Sequence, residues 1–390
     1  MASTSILGVA MNHRSAFIAL TMAATILTVA RGGHELPVYP SYYPHEIELL
    51  TVVPERAADL LLAGKIQAYV GGAPRFTSAP PDSIHHVETL GSFVIVRVNP
   101  SLPGARDVQS GCATLDIVIR DLAGRSGDLI VHPYPVTPFH GDYLHHVDLA
   151  EAAKARALGS RADTARPDLK VKATSELARS LVRPEWRAPD SEWDVELAEV
   201  GAEELVATAS VAINGWLGPA WIRTGWFHAY LLLSEQGSDS DLKQRIETRL
   251  RRLEFTAYDD AAERINLERS LVAELAGGCR MRVVGYTVKR EYFSTVFTAG
   301  IENIAYDSVA GLNSPMFIRT VKLRDFPWNG WLALGINASP TAAWNPIAGF
   351  TDSFGRLMWS AVGDPALIPS PQDSGWVLNR VTNVQPGASP

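Results

Sequence analysis

Residues 45–72, HEIELLTVVPERAADLLLAGKIQAYVGG, constrain the fold more than any other stretch of the chain. Residues 45–53 and 65–70 have the apolar, β-branched character of strands, and residues 54–64 between them have that of a short helix. Pro54 sits where a helix loses nothing by lacking an amide proton, and Gly64 supplies the stop. The order strand, helix, strand is compatible with a parallel pairing, because parallel neighbours need a crossover connection.

Further strands are expected at residues 85–98 (HHVETLGSFVIVRV), 113–120 (ATLDIVIR), 129–132, 280–288 and 316–323. Helices are expected at residues 147–158, ended by Gly159, at 174–182, and as a pair at 241–255 and 258–276, where leucine or isoleucine recurs every three to four residues. Residues 159–194 are polar and carry Pro167, Pro184 and Pro189, which reads as a linker or surface excursion. The final seventy or so residues read as an irregular coat rich in Trp, Pro and Gly. The fold class expected is mixed, α+β or α/β, in two domains at 31–158 and 195–390, with mixed sheets, a helical pair in the second half and long Pro/Trp-rich loops.

Residues 15–30, SAFIALTMAATILTVA, carry no charge. As a helix they would span about 24 Å, short of the roughly 30 Å hydrocarbon core, which favours an export signal over a robust spanning helix. Residues 1–30 are therefore read as a signal peptide or a short membrane anchor, and the rest as periplasmic or otherwise extracytoplasmic. In an oxidising compartment the two cysteines, Cys112 and Cys279, could join the halves of the chain. The net charge of -7 and the lack of a long Lys/Arg block argue against nucleic acid as a partner.

Four of the ten histidines fall in residues 132–146, HPYPVTPFHGDYLHH. Imidazole binds copper, zinc or iron, and Pro133, Pro135 and Pro138 would hold His132 and His140 apart in a set geometry. His146 lies four residues after Asp142, within reach of an orienting carboxylate, whereas His145 would point about a hundred degrees away on a helix. The candidate metal set is thus His132, His140 and His146, with His86 from the strand at 85–98. The competing reading is a pocket lined by Tyr134, Phe139 and Tyr143 in which histidines pack and hydrogen-bond. His228, within GWFHAY, reads as an aromatic core position. A second aromatic group, including Trp216, Trp221, Trp226, Trp328, Trp331 and Trp344, could wall a pocket between domains, with Trp221 and Arg223 the favoured contacts and Arg319 or Arg324 as other anchors for an anion.

The sequence holds no GxGxxG opening a helix, no Walker loop, no GxSxG, no HExxH and no CxxCH. These gaps weigh against the ordinary nucleotide and hydrolase classes, while a triad assembled in space needs no such motif, so whether the chain is an enzyme stays open. Three readings follow. The first is an extracytoplasmic solute-binding or ligand-recognition protein with a small-molecule site between two domains. The second is a metal-binding or redox protein built on the first-domain histidines. The third is a structural subunit of a membrane-associated complex with a membrane protein partner.

Overall fold

The computed structural model describes residues 44, 46–101, 108–125, 127–159, 168–189, 191–210, 219–234, 240–296, 300–324, 330–341, 350, 352–363, 366–371, 375–379 and 381–383. The apolar segment at 15–30 and the positions Trp216, Trp328 and Trp344 lie outside them. All described elements belong to one compact unit, Tyr43–Pro390.

The opening unit forms as its punctuation requires. β1 (Glu46–Thr51) runs into α1 (Pro54–Leu62), which starts on Pro54 and buries Ala57, Ala58 and Leu61. Gly64 then turns the chain at φ +64° toward β2 (Ala68–Val70). There follow β3 (Ile84–Val98), α2 (Val108–Ala123), β4 (Leu129–Val131), α3 (Val147–Gly159), β5 (Val171–Ala173) and α4 (Glu176–Leu181). The middle of the chain supplies β6 (Val195–Gly201), α5 (Ala202–Ser210), α6 (Gly225–Leu233), α7 (Ser240–Glu254), α8 (Ala261–Ala276) and β7 (Met281–Ser294). Last come β8 (Ile301–Asn303), α9 (Pro315–Thr320), β9 (Lys322–Leu323), β10 (Trp331–Ile336), α10 (Ser353–Val362), β11 (Leu367–Pro369) and β12 (Trp376–Leu378).

Eight strands form one mixed sheet in the order β1-β10-β2-β7-β3-β6-β5, with β4 also on β7. β1 and β2 do run parallel, but β10 lies between them and pairs with both. β7 and β3 pair antiparallel along most of their lengths and form the centre. Helices cover both faces, which explains why residues 93–96 are apolar without alternation. Phe93 and Ile95 face α6 and α8 through Trp226, Phe227, Leu271 and Val272. Val94 and Val96 face α2 through Leu115, Val118, Ile119 and Leu122. The mixed α and β fold class expected from the sequence is what the chain adopts, including the helical pair α7 and α8.

Several local expectations are corrected. Residues 113–120 are helical, part of α2, because Leu115, Val118, Ile119 and Leu122 recur at helical spacing and pack on one side against the sheet. Residues 316–323 begin as helix α9, capped by Ser314 and started by Pro315, and only Lys322 and Leu323 are extended. The final segment is not merely a coat, since β10 stands inside the sheet and α10 buries Phe354 and Leu357. Residues 159–194 also contribute core: β5 joins the sheet, and Leu169, Val171 and Trp186 are buried. The sheet therefore draws on strands from both sides of that stretch. Cys112 on α2 and Cys279 before β7 are joined in a disulfide.

Candidate functional site

The histidine-rich loop leaves the sheet at β4. Val131 pairs with Gly285 of β7, and the His132 amide donates to the Val284 carbonyl at 3.0 Å. A Cβ at Gly285 would lie 2.0 Å from the Ile130 oxygen, so only glycine lets β4 approach. The loop then folds onto α6. Asp142 accepts from the Gly225 and Trp226 amides at 2.8 and 3.1 Å, capping that helix at its positive end. Its carboxylate thus serves α6; the expected role of orienting His146 by hydrogen bond goes instead to Tyr134, whose hydroxyl lies 3.0 Å from His146 Nδ1.

The tautomer of His140 follows from its neighbours. The Thr137 amide donates to His140 Nδ1 at 2.9 Å, so that nitrogen is bare and a neutral ring carries its proton on Nε2. Nε2 lies 3.0 Å from His228 Nδ1 and donates to it. Phe93 packs against both rings, with centroids 6.2 and 6.1 Å away. Burial pushes the His140 ring down to about 3 and His146 down to about 4, and holds His228 well below the usual imidazole range. These rings are neutral across the physiological range. His132 is likewise lowered by burial, and its Nε2 lies 2.9 Å from the Val136 carbonyl, to which it donates.

The four proposed metal ligands are not gathered on one ion. His140 accepts from the Thr137 amide at Nδ1 and donates to His228 from Nε2, His132 donates to backbone, and His146 meets Tyr134. His86 is exposed, beside Glu88 and Tyr292. It stands eight residues along β3 from Val94, which faces the same Gly285 as Val131, so on the order of 25 Å separates it from the loop. Among the described residues no three His, Cys, Asp or Glu side chains are placed to hold a metal. His145 and His146 do diverge: His146 is fully buried, while His145 turns its Nδ1 to within 3.9 Å of Glu268 Oε2. Burial pushes Glu268 up to about 7, against the pull of Arg264.

The aromatic candidates are structural neighbours of this cluster. Tyr134 is buried, Phe139 meets Tyr286 edge-on at 5.9 Å, and Tyr143 lies 6.0 Å from His132. Trp221 packs tilted against Trp226 and edge-on against Phe227. Arg223, expected to meet an anionic solute, is held by Asp307 and the Ser370 carbonyl. Arg319 donates to the Gly363 carbonyl at 3.2 Å.

Sequence reading missed a second place, where the three parallel strands end together. β1 stops at Thr51, β2 at Val70 before Gly71 and Gly72, and β10 at Ile336 before Asn337. The Thr51 and Ser339 hydroxyls lie 2.7 Å apart, and Asn337 Nδ2 donates to the Gly71 carbonyl at 2.6 Å. Thr51, Asn337, Ala338 and Ser339 are all exposed. Gly71 has φ +80°, and a Cβ there would lie 2.6 Å from the Phe354 ring. Its amide donates at 2.5 Å to the fully buried Glu291, which also accepts from Leu312 at 2.6 Å and thereby pins the turn. The two glycines after KIQAYV were the available signal, but β10 as their neighbour was not readable from local pattern.

No protein-family profile matches the sequence, and no curated protein matches it. Among solved structures the chain is similar to the oligopeptide-binding protein AppA from Bacillus subtilis in complex with a nonapeptide, at 13% identity over 70% of this chain and 59% of that one, with a TM-score of 0.39. Similarity to MppA, a periplasmic murein tripeptide binding protein in an unliganded open form, is 12% over 68% and 55%, with a TM-score of 0.39. NikZ from Campylobacter jejuni in complex with Ni(L-His) gives 13% over 65% and 56%, with a TM-score of 0.33. The chain spans between half and two thirds of the length of these proteins.

Proposed function

We propose that the chain is an extracytoplasmic solute-binding or ligand-recognition protein whose ligand docks at the carboxyl ends of β1, β10 and β2. The observation that carries this reading is the convergence of Thr51, the Gly71-Gly72 turn, Asn337 and Ser339 at one exposed edge. Outside the carboxyl ends of parallel strands, backbone amides and short polar side chains face a crevice, and that is where open α/β sheets bind ligands. The Cys112–Cys279 disulfide supports the compartment, since such bonds persist where thiols are not kept reduced. Such a protein would hand its solute to a membrane protein partner.

The test is binding by the mature chain to a library of short peptides, amino acids and sugars, read by thermal shift and then by calorimetry. Peptides are the first probe because of what the compared proteins are named for binding; the reading itself rests on this chain's strand ends. Ser339→Trp places a large ring over the edge at an exposed position, and should weaken the best ligand at least tenfold with an unchanged melting temperature. No saturable ligand in the library, or equal affinity in Ser339→Trp, would refute the site.

A further inference from the structure

We propose that the groove between α7 and α8 is a separate binding site for a small anion bearing two or more acidic groups. The hollow measures about 450 Å³ and is lined by Asp241, Gln244, Arg245, Thr248, Arg249 and Arg252, with Leu267 of α8 contributing its apolar wall. It falls within the size range of small-molecule sites.

The arrangement of charge is what singles it out. Arg245 Nε and Arg249 Nη1 both bond Glu274, at 3.2 Å to Oε1 and 2.6 Å to Oε2. One carboxylate therefore holds two guanidinium groups and neutralises only one of them. Each guanidinium has five N–H donors, and the bonds to Glu274 occupy one on each. Arg252 is fixed by Glu263 and the Ala257 carbonyl and forms the next part of the wall. Arg245 and Arg252 are seven residues apart on one helix, so the guanidinium row extends over about 10 Å. That length suits two acidic groups on one molecule better than a single one. Because the carboxylates already orient the guanidinium forks, an incoming anion has less side-chain freedom to quench. Asp241 also lines the hollow, so Arg245, Arg249 and Arg252 stand against Asp241, Glu263 and Glu274 in equal number, and what an anion would meet is the unused N–H donors rather than a net positive charge.

The experiment is calorimetric titration of the full chain with citrate and, separately, with pyrophosphate, using acetate at matched ionic strength as the monovalent control. Saturable binding of citrate or pyrophosphate at least tenfold tighter than acetate is expected, and the tighter of the two identifies carboxylate or phosphoryl chemistry. R245Q and R249Q should each weaken it at least fivefold, while K243Q, on α7 outside the groove, leaves it unchanged. E274Q removes the neutralising carboxylate without removing either guanidinium, and should tighten binding at least threefold. The proposal is overturned if neither probe binds, if R245Q and R249Q bind as the parent does, or if E274Q binds more weakly. None of these outcomes depends on the strand-end site, so the two readings fail separately.

Discussion

Acidification from pH 7 to pH 5 should destabilise the protein, and the size of the loss can be worked from three buried groups. His140 and His146 are held at about 3 and about 4 in the folded chain, against an ordinary 6.5 when unfolded. Their folded values are depressed, so below pH 6.5 the unfolded chain takes up protons that the native chain refuses. Each ring then costs about 2 kcal/mol of stability over that interval. Glu268 works the other way. Its folded value is raised to about 7 from 4.5, so the native chain binds its proton first and gains about 2 kcal/mol over the same interval. The expected net loss is thus about 2 kcal/mol, enlarged by His228, which shifts in the same direction as the other two rings. Urea unfolding at the two pH values, followed by tryptophan fluorescence with the disulfide intact, measures it. Glu268→Gln keeps an acceptor for Arg264 but removes the opposing proton, so its loss should grow by about 2 kcal/mol. A parent protein whose stability is flat or rises toward pH 5, or a Glu268→Gln variant with the same slope as the parent, would refute the reasoning.

Gly285→Ala would drive a methyl group into the Ile130 carbonyl, 2.0 Å away, and should cost roughly 4 kcal/mol or prevent accumulation of folded protein, read by urea unfolding and soluble yield. Reducing the Cys112–Cys279 bond opens a loop of 167 residues and should lower stability by about 5 kcal/mol on the chain-entropy scale, measured by the shift in urea midpoint with and without reductant. For metal, protein purified without a polyhistidine tag should carry well under one equivalent of copper, zinc or iron, because the ring nitrogens of His132, His140 and His146 turn to different partners. Stoichiometric metal that disappears in His132→Ala, measured by elemental analysis, would refute this expectation.

Much of the fold was legible where a local rule decides the outcome. Pro54 and Gly64 delimit α1, and leucine periodicity marks α7 and α8. The clearest failure arises because strand and helix can share one apolar, β-branched composition. Residues 113–120 and 85–98 both read as strands with partial alternation, yet the first is a helix lying on the second. Which run is helix depends on what each packs against, and that information is not in either segment. β10 shows the same dependence, because its place between β1 and β2 joins residues separated by more than 260 positions.

The site was legible only in part, and His140 shows why. Its neighbourhood, with three prolines and several aromatics, indicated a constrained loop, and the separation of His145 from His146 followed from backbone geometry alone. What pattern could not supply was the partner. His228 lies 88 positions away in a segment whose composition argues for core, and it is core: 0% exposed, with Phe93 across both rings. Burial converts a potential ligand into a hydrogen-bonding link, because a neutral imidazole deprived of water satisfies itself from the nearest donor or acceptor. The same burial gives the loop its dependence on pH, since His140 Nδ1 must stay bare to accept from the Thr137 amide and His228 Nδ1 must stay bare to accept from His140. Strand ends escape this trade. Thr51, Asn337 and Ser339 remain exposed with polar atoms at the surface, and a solute can reach them without unfolding the loop that sequence first singles out.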